Sequence, residues 1–260
     1  MRARTNGIEL HYTIDGEGPW LVMSHSLACN VHMWDPQVPA LAKRFKVLRF
    51  DTRGHGQSDA PPPPYTLDTL AADAKGLFDH LGIREAHWVG LSMGGMIGQT
   101  FALNYPGVLK SLTLADTASA YPEGAAALWA ARVKVAQEQG MEALVPPTLE
   151  RWFTPGYREA QPDKVARIAD MIRQTPVPGY AGCCAALPQI NTTARLKEIA
   201  CPAMVVCGEQ DMGTPLAMSQ AIHAAMPGSE LVVIPDAAHI SNMEQPEAFT
   251  AALERFLARV

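Results

Sequence analysis

Little in this chain favours a membrane, a nucleic acid or an oxidising compartment. No stretch is apolar for the roughly 20 residues that a bilayer span requires. The opening Met1-Arg2-Ala3-Arg4 turns polar at once and lacks the apolar stretch of a secretory leader. No block of like charge occurs, and the balance is mildly acidic, with 21 basic against 26 acidic residues and a net charge of -5. Phosphate binding needs clustered Lys and Arg, so this balance argues against nucleic acid as a partner. The five cysteines (Cys29, Cys183, Cys184, Cys201 and Cys207) are an odd number, with no zinc-like spacing. Cys183 and Cys184 are neighbours and poor disulfide partners for each other. Reduced thiols in a cytoplasmic protein are the expectation. There is no internal repeat, and the one low-complexity patch, Pro61 to Pro64, reads as a loop. Nothing indicates a metal, a nucleotide or any other cofactor. The expected partner is a small molecule, met by a monomer or homodimer.

Core material, by contrast, is plentiful. Of 260 residues, 48% are hydrophobic, enough for one large domain without disulfide or metal staples. Ile8 to Ile14 alternates apolar and polar and ends at Asp15-Gly16, the pattern of a hairpin strand. Short apolar runs at Trp20 to Met23, Phe45 to Phe50, Ala86 to Gly90 and Leu109 to Ala115 read as buried strands. Between them, Thr66 to Leu81 and Gly94 to Tyr105 carry helical spacing. Strands that alternate with helices imply a mostly parallel sheet flanked by helices. Tyr121 to about Pro188 breaks that rhythm. It holds helical patterns at Ala125 to Gln139 and Pro162 to Gln174 and no convincing strand. Strands resume at Ala203 to Cys207 and Leu231 to Ile234, and a helix from Pro246 closes the chain. The expected organisation is an α/β core over residues 1–119 and 191–260, with residues 120–190 inserted as a helical cap.

The sharpest local signal is Gly90-Leu91-Ser92-Met93-Gly94. A serine hydroxyl is a weak nucleophile that needs exposure and activation. A tight turn from strand to helix supplies the exposure, and glycines on either side let the turn close. The segment sits between a strand pattern and an apolar helix pattern, which is the context such a turn needs. Activation needs an imidazole, and the imidazole needs an orienting acid. Downstream of Ser92, His239 follows the strand 231–234 in a loop, whereas His223 falls mid-helix and reads as solvent-facing. Asp211 follows the strand 203–207, so it and His239 end successive strands. Asp116, after the strand 109–115, is the runner-up. Asp236 is too close in sequence to His239. The oxyanion that forms in such chemistry needs N–H donors. Met93, just after Ser92, offers one, and Leu27 in the loop after Met23 is the candidate for the other. His25 in that loop reads as structural. Arg53-Gly54-His55-Gly56 reads as a tight turn that gives shape rather than chemistry.

Taken together, Ser24 to Leu27 with Met33-Trp34, Asp51 to Ser58, the turn at Ser92, Gly208 to Asp211 and His239 resemble the α/β-hydrolase superfamily. Within it, Met33 to Gln37, Ser92 to Gly98, Arg151-Trp152-Phe153-Thr154, Gly179-Tyr180 with Cys183-Cys184, and His239 to Asn242 are similar to the 3-oxoadipate enol-lactonases. The similarity runs over nearly the whole chain. It implies an α/β-hydrolase fold with an inserted helical cap. It also implies cofactor-free opening of an enol-lactone in aromatic-compound catabolism, with Ser92, Asp211 and His239 as catalytic triad. In the cap, Trp129 with Arg132 three residues on matches the family pattern, which implies a pocket wall and a guanidinium for the substrate's carboxylate. Trp152 is implied as a further substrate contact. Two departures stand out: Ala28-Cys29 where members carry Gly-Thr, and Ala185 to Gln189, which lacks the family's Arg-Asp pair. The second leaves open a preference for neutral lactones or esters. Other readings of the same residues are a general carboxylesterase, a carbon–carbon bond hydrolase and a non-catalytic ligand receptor.

Overall fold

The computed structural model describes residues 1–260. Its centre is one eight-stranded sheet. The strands are β1 (Arg2–Thr5), β2 (Ile8–Asp15), β3 (Trp20–Ser24), β4 (Lys46–Phe50), β5 (Ala86–Leu91), β6 (Leu109–Ala115), β7 (Ala203–Gly208) and β8 (Glu230–Ile234). Their spatial order is β1-β2-β4-β3-β5-β6-β7-β8, and every pairing from β4 to β8 is parallel. β5 and β7 are buried along their whole length, as strands covered on both faces must be, and this explains their apolar runs, broken only by His87, which pairs with Ser111 Oγ.

The hairpin lies one turn earlier than its sequence pattern suggests. β2 pairs antiparallel with β1, a strand the alternation does not reveal, and Asn6-Gly7 makes the turn with both φ angles positive. That is the geometry a two-residue hairpin prefers. Asp15-Gly16 instead starts a crossing to β3, which is not a neighbour of β2, because β4 pairs with β2 on that side. A Cβ at Gly16 would stand 2.3 Å from the Ala42 carbonyl oxygen, so the glycine serves close passage rather than a hairpin.

The helices α1 (Val38–Leu41), α2 (Leu67–Leu81) and α3 (Met93–Asn104) fill the first crossovers. Thr66 caps α2, its hydroxyl accepting from the Thr69 N–H, and Gly82 ends it in the left-handed conformation. α2 and α3 pack together over β5 through Phe78, Trp88 and Phe101, whose rings lie 5.0 to 6.4 Å apart. Gly98 makes room: a Cβ there would come within 2.5 Å of the Trp88 indole nitrogen. That aromatic block supports the β5–α3 turn from below.

Between β6 and β7 lie only helical segments: α4 (Ala125–Gln139), α5 (Val145–Trp152), α6 (Pro155–Ala160), α7 (Pro162–Gln174) and α8 (Val177–Ala186), with short 3-10 turns. An isolated bridge from Ala120 to Asn191 ties the two ends of this insertion together. After β7 come α9 (Leu216–Ala225), α10 (Ser241–Glu244) and α11 (Pro246–Leu257). No helix is long and apolar enough to cross a membrane.

Candidate active site

The turn from β5 into α3 holds Ser92 at φ 55° and ψ -114°, a region that side-chain-bearing residues seldom adopt. The fold supplies the compensation. The Ser92 N–H donates to Ala115 O at 2.9 Å, and its carbonyl accepts from Thr117 Oγ1 at 2.7 Å. The flanking glycines are required by contact. A Cβ at Gly90 would lie 2.1 Å from Gly94 O, and one at Gly94 would lie 2.0 Å from Ser24 O. The result is a hydroxyl raised at the amino end of α3, with 8% of the residue exposed.

His239 meets that hydroxyl, with its Nε2 3.0 Å from Ser92 Oγ. Its Nδ1 faces both oxygens of Asp211, at 2.9 and 3.0 Å. These partners assign the tautomer: Nδ1 carries the proton and donates to the carboxylate, leaving Nε2 free to accept from serine. Asp211 is held in turn by the N–H groups of Gly213 (2.6 Å) and Thr214 (3.0 Å) and by Thr214 Oγ1 (2.8 Å). Burial alone pushes this carboxyl up. The imidazole and the Thr214 donors outweigh burial and hold Asp211 below the ordinary carboxylate range. Sequence reading takes Gly213 and Pro215 only as signs that Asp211 could be a turn or helix-cap residue, and it does not single out Thr214. The signal was an aspartate followed two and three residues later by Gly and Thr, an Asx-type turn. A Cβ at Gly213 would press to 2.9 Å on the His239 ring, so a glycine is needed there.

Asp116 does not touch His239. Its Oδ1 accepts from the Gly208 N–H at 2.7 Å, and its Oδ2 lies 2.5 Å from Ser241 Oγ. Burial, reinforced by the nearby charge of Asp211, pushes it well above the usual carboxylate range, although the Ser241 and Gly208 donors oppose the shift. Asp116, Asp211 and Cys207 bring ligand atoms within 4.8 Å of one another. Those carboxyl oxygens are engaged as just described, and burial raises the Cys207 thiol, so the donor set is poorly suited to a cation. Glu244, also overlooked in the sequence, is buried and accepts from Ala238 N at 2.8 Å and from Thr154 N at 2.9 Å. It fixes the loop that presents His239.

The N–H groups of Leu27 and Met93 donate to no group within the protein. Leu27 sits in a loop set by two buried histidines. His25 donates from Nδ1 to Ser26 O (2.7 Å) and accepts at Nε2 from Thr52 N (2.9 Å), and His55 accepts from Ala28 N (2.9 Å). Burial lowers both, His55 to about 3, so both are neutral braces, as the structural reading of His25 expected. Ala28 has φ 58°, which explains why a glycine suits that position; the alanine carries roughly 1–2 kcal/mol of strain. The turn after β4 is likewise structural: Arg53 forks onto Asp73 at 2.7 Å through two nitrogens. His223 is half-buried, its Nδ1 2.8 Å from Ser229 Oγ, rather than simply solvent-facing.

Trp152, at the end of α5, lies with its ring centroid 5.9 Å from that of His239. On α4, the Arg132 guanidinium stacks 4.8 Å above Trp129, and Trp129 meets Tyr121 edge-on. Arg132 and Arg151 line a shared cavity of about 280 Å³. Neither has a carboxylate within salt-bridge distance, although surface arginines elsewhere do. A hydroxyl aligned on an imidazole that a carboxylate orients, with free N–H groups at Leu27 and Met93, suits acyl transfer from an ester or lactone.

Comparison with known proteins supplies the family. Residues 19–246 match the model of a family described as the alpha/beta hydrolase fold. The chain is 37% identical to 3-oxoadipate enol-lactonase 2 of Acinetobacter baylyi, across 97% of this chain and 94% of that protein. It superposes on the crystal structure of the enol-lactonase from Burkholderia xenovorans LB400 with a TM-score of 0.96 and 41% identity, covering 99% of this chain and 100% of that one. A thermophilic esterase from Thermogutta terrifontis is 29% identical, with a TM-score of 0.95, over 100% and 98% of the two chains. On the family match and the sheet order alike, this chain belongs to the alpha/beta hydrolases.

Proposed function

We propose that this protein hydrolyses a lactone or ester through an acyl-enzyme on Ser92, with an enol-lactone that carries a carboxylate as its substrate. The observation that carries the reading is the unbroken line Ser92 Oγ, His239 Nε2, His239 Nδ1, Asp211 at 3.0 and 2.9 Å. Similarity to the proteins named enol-lactonase supports the substrate class.

Ser92 Oγ attacks the ring carbonyl as its proton passes to His239 Nε2. Asp211 stabilises the imidazolium that forms, and its lowered pKa keeps it ionised for that task. Charge on the carbonyl oxygen falls to the N–H groups of Leu27 and Met93 at the positive end of α3. The ring C–O bond breaks, and the enol oxygen takes the proton from His239. The enol then relaxes to the ketone, which draws the ring opening forward. Water, deprotonated by the same imidazole, releases the acid and restores Ser92. Residues 120–190 serve as a cap over this site. Trp129 and Trp152 wall the pocket, and Arg132 receives the substrate's acid group.

The test is turnover of 3-oxoadipate enol-lactone and of p-nitrophenyl acetate by the purified protein. The lactone is expected to be much the better substrate, and Ser92→Ala is expected to lose about 10⁴-fold or more in kcat on both. A Ser92→Ala protein that keeps most of its rate would end the proposal. An ester preferred over the lactone would point to a general carboxylesterase.

A further inference from the structure

The end of β6 contributes no group to the chemistry above, yet it holds all three segments that do. Ala115 O accepts from the Ser92 N–H, and Thr117 Oγ1 donates to the Ser92 carbonyl. Asp116 N donates to Val206 O in β7 at 2.8 Å. The Asp116 carboxyl then reaches both remaining partners. It accepts from the N–H of Gly208, which opens the loop to Asp211, and it meets the hydroxyl of Ser241, which follows the His239 loop. Asp116 is completely buried and takes a positive φ of 44° to do so. A buried carboxyl on a strained backbone is costly, but removing it would leave the Gly208 N–H and the Ser241 hydroxyl buried without their partner. What the carboxyl adds is geometry, since a fully satisfied buried polar network defines one arrangement.

We propose that Asp116 is the positioning residue of this site: its carboxyl ties the strand end leading to Asp211 to the segment following His239, and so sets the imidazole against Ser92 Oγ. The inference rests on Ser92, Asp211 and His239 being the reacting groups. The test is steady-state turnover of the full chain, with Ser92→Ala alongside. Asp116→Ala lowers kcat about 10- to 100-fold, the size of a misplacement near 1 Å. Its KM stays within about twofold, because no substrate contact is lost. Asp116→Asn restores kcat to within about threefold, as an amide can accept from Gly208 N and donate to Ser241 Oγ. Ser241→Ala, which removes one of the two ties, falls between them. The low-field proton signal of His239 Nδ1–H broadens in Asp116→Ala and persists in Asp116→Asn. A folded Asp116→Ala with wild-type kcat, or an Asp116→Asn as slow as the alanine variant, overturns the proposal. If Asp116→Ala does not fold, a wild-type kcat in Ser241→Ala overturns it equally. Turnover that survives Ser92→Ala would instead refute the underlying assignment of the reacting groups.

Discussion

At the carboxyl edge of the sheet, the groups around Ser92 are buried and engaged. Ser92, Asp211, His239 and Asp116 are 8, 5, 3 and 0% exposed, and each has a polar partner within 3.0 Å. Helix α4 of the insertion between β6 and β7 is built otherwise. Leu128 on α4 stands 71% exposed, α4 buries only Ala125 and Ala136, and Arg132 and Arg151 carry no paired carboxylate. The first region holds its polar groups, the proposed reacting atoms among them, in place through networks that admit a single arrangement. The second leaves Trp129 and Arg132 half-exposed, the site proposed above for the substrate's acid group. Changes at the sheet edge should therefore act on kcat, and changes in the insertion on KM.

The sharpest way to break this contrast is at Asp211. Asp211→Asn would take the acceptor from His239 Nδ1 and favour the wrong tautomer, with a loss of about 10⁴-fold in kcat, read by steady-state kinetics. A loss confined to KM would erase the distinction between the two regions. Arg132→Gln should do the reverse. It should raise KM for the acid-bearing lactone about tenfold at nearly constant kcat and leave a neutral ester untouched, as the proposed pairing of the guanidinium with the acid group requires.

A subtler contrast lies within the sheet edge, between two carboxyls shifted in opposite directions. Asp211 is lowered, so its stabilising contribution is present above the ordinary aspartate pKa and fades as pH falls through its folded value. Asp116 is raised, so the folded state holds its proton more tightly than the unfolded chain does. Stability is then lost as pH rises from the ordinary aspartate pKa towards the raised folded value. Asp116→Asn removes that second term. Urea unfolding should show the variant gaining on wild type as pH rises through this window, and a constant difference would contradict the assignment. The smallest effect belongs to the exposed pairs of Arg173 with Glu142 and Asp170 on the insertion. Arg173→Ala should leave kcat, KM and the melting temperature unchanged within error, since solvent screens such pairs.

How far the sequence alone carries can be seen residue by residue. The turn at Ser92 is legible because its glycines are local requirements, and each is accounted for by a contact with its own neighbourhood. His239 and Asp211 are legible because parallel strands deliver their carboxyl ends to one edge, so chain order predicts spatial company. Preference for Asp211 over Asp116 rests on Asp211 and His239 ending successive strands; Asp211 meets His239 Nδ1, and Asp116 meets Gly208 N. β1 escapes notice because Arg2–Thr5 is too short to display a period. The hairpin is assigned to the wrong turn because Asp15-Gly16 and Asn6-Gly7 carry the same local chemistry. Asp116, Thr117, Ser241 and Glu244 act through bonds across space, and no spacing rule announces those.

The account stands on Ser92 being activated by His239. A fluorophosphonate probe, followed by peptide mapping, reads that activation directly. One adduct on Ser92 in the wild-type protein, with labelling lost in His239→Ala, is the expected result. An adduct at another residue, or a Ser92 that labels as fast without His239, would contradict it.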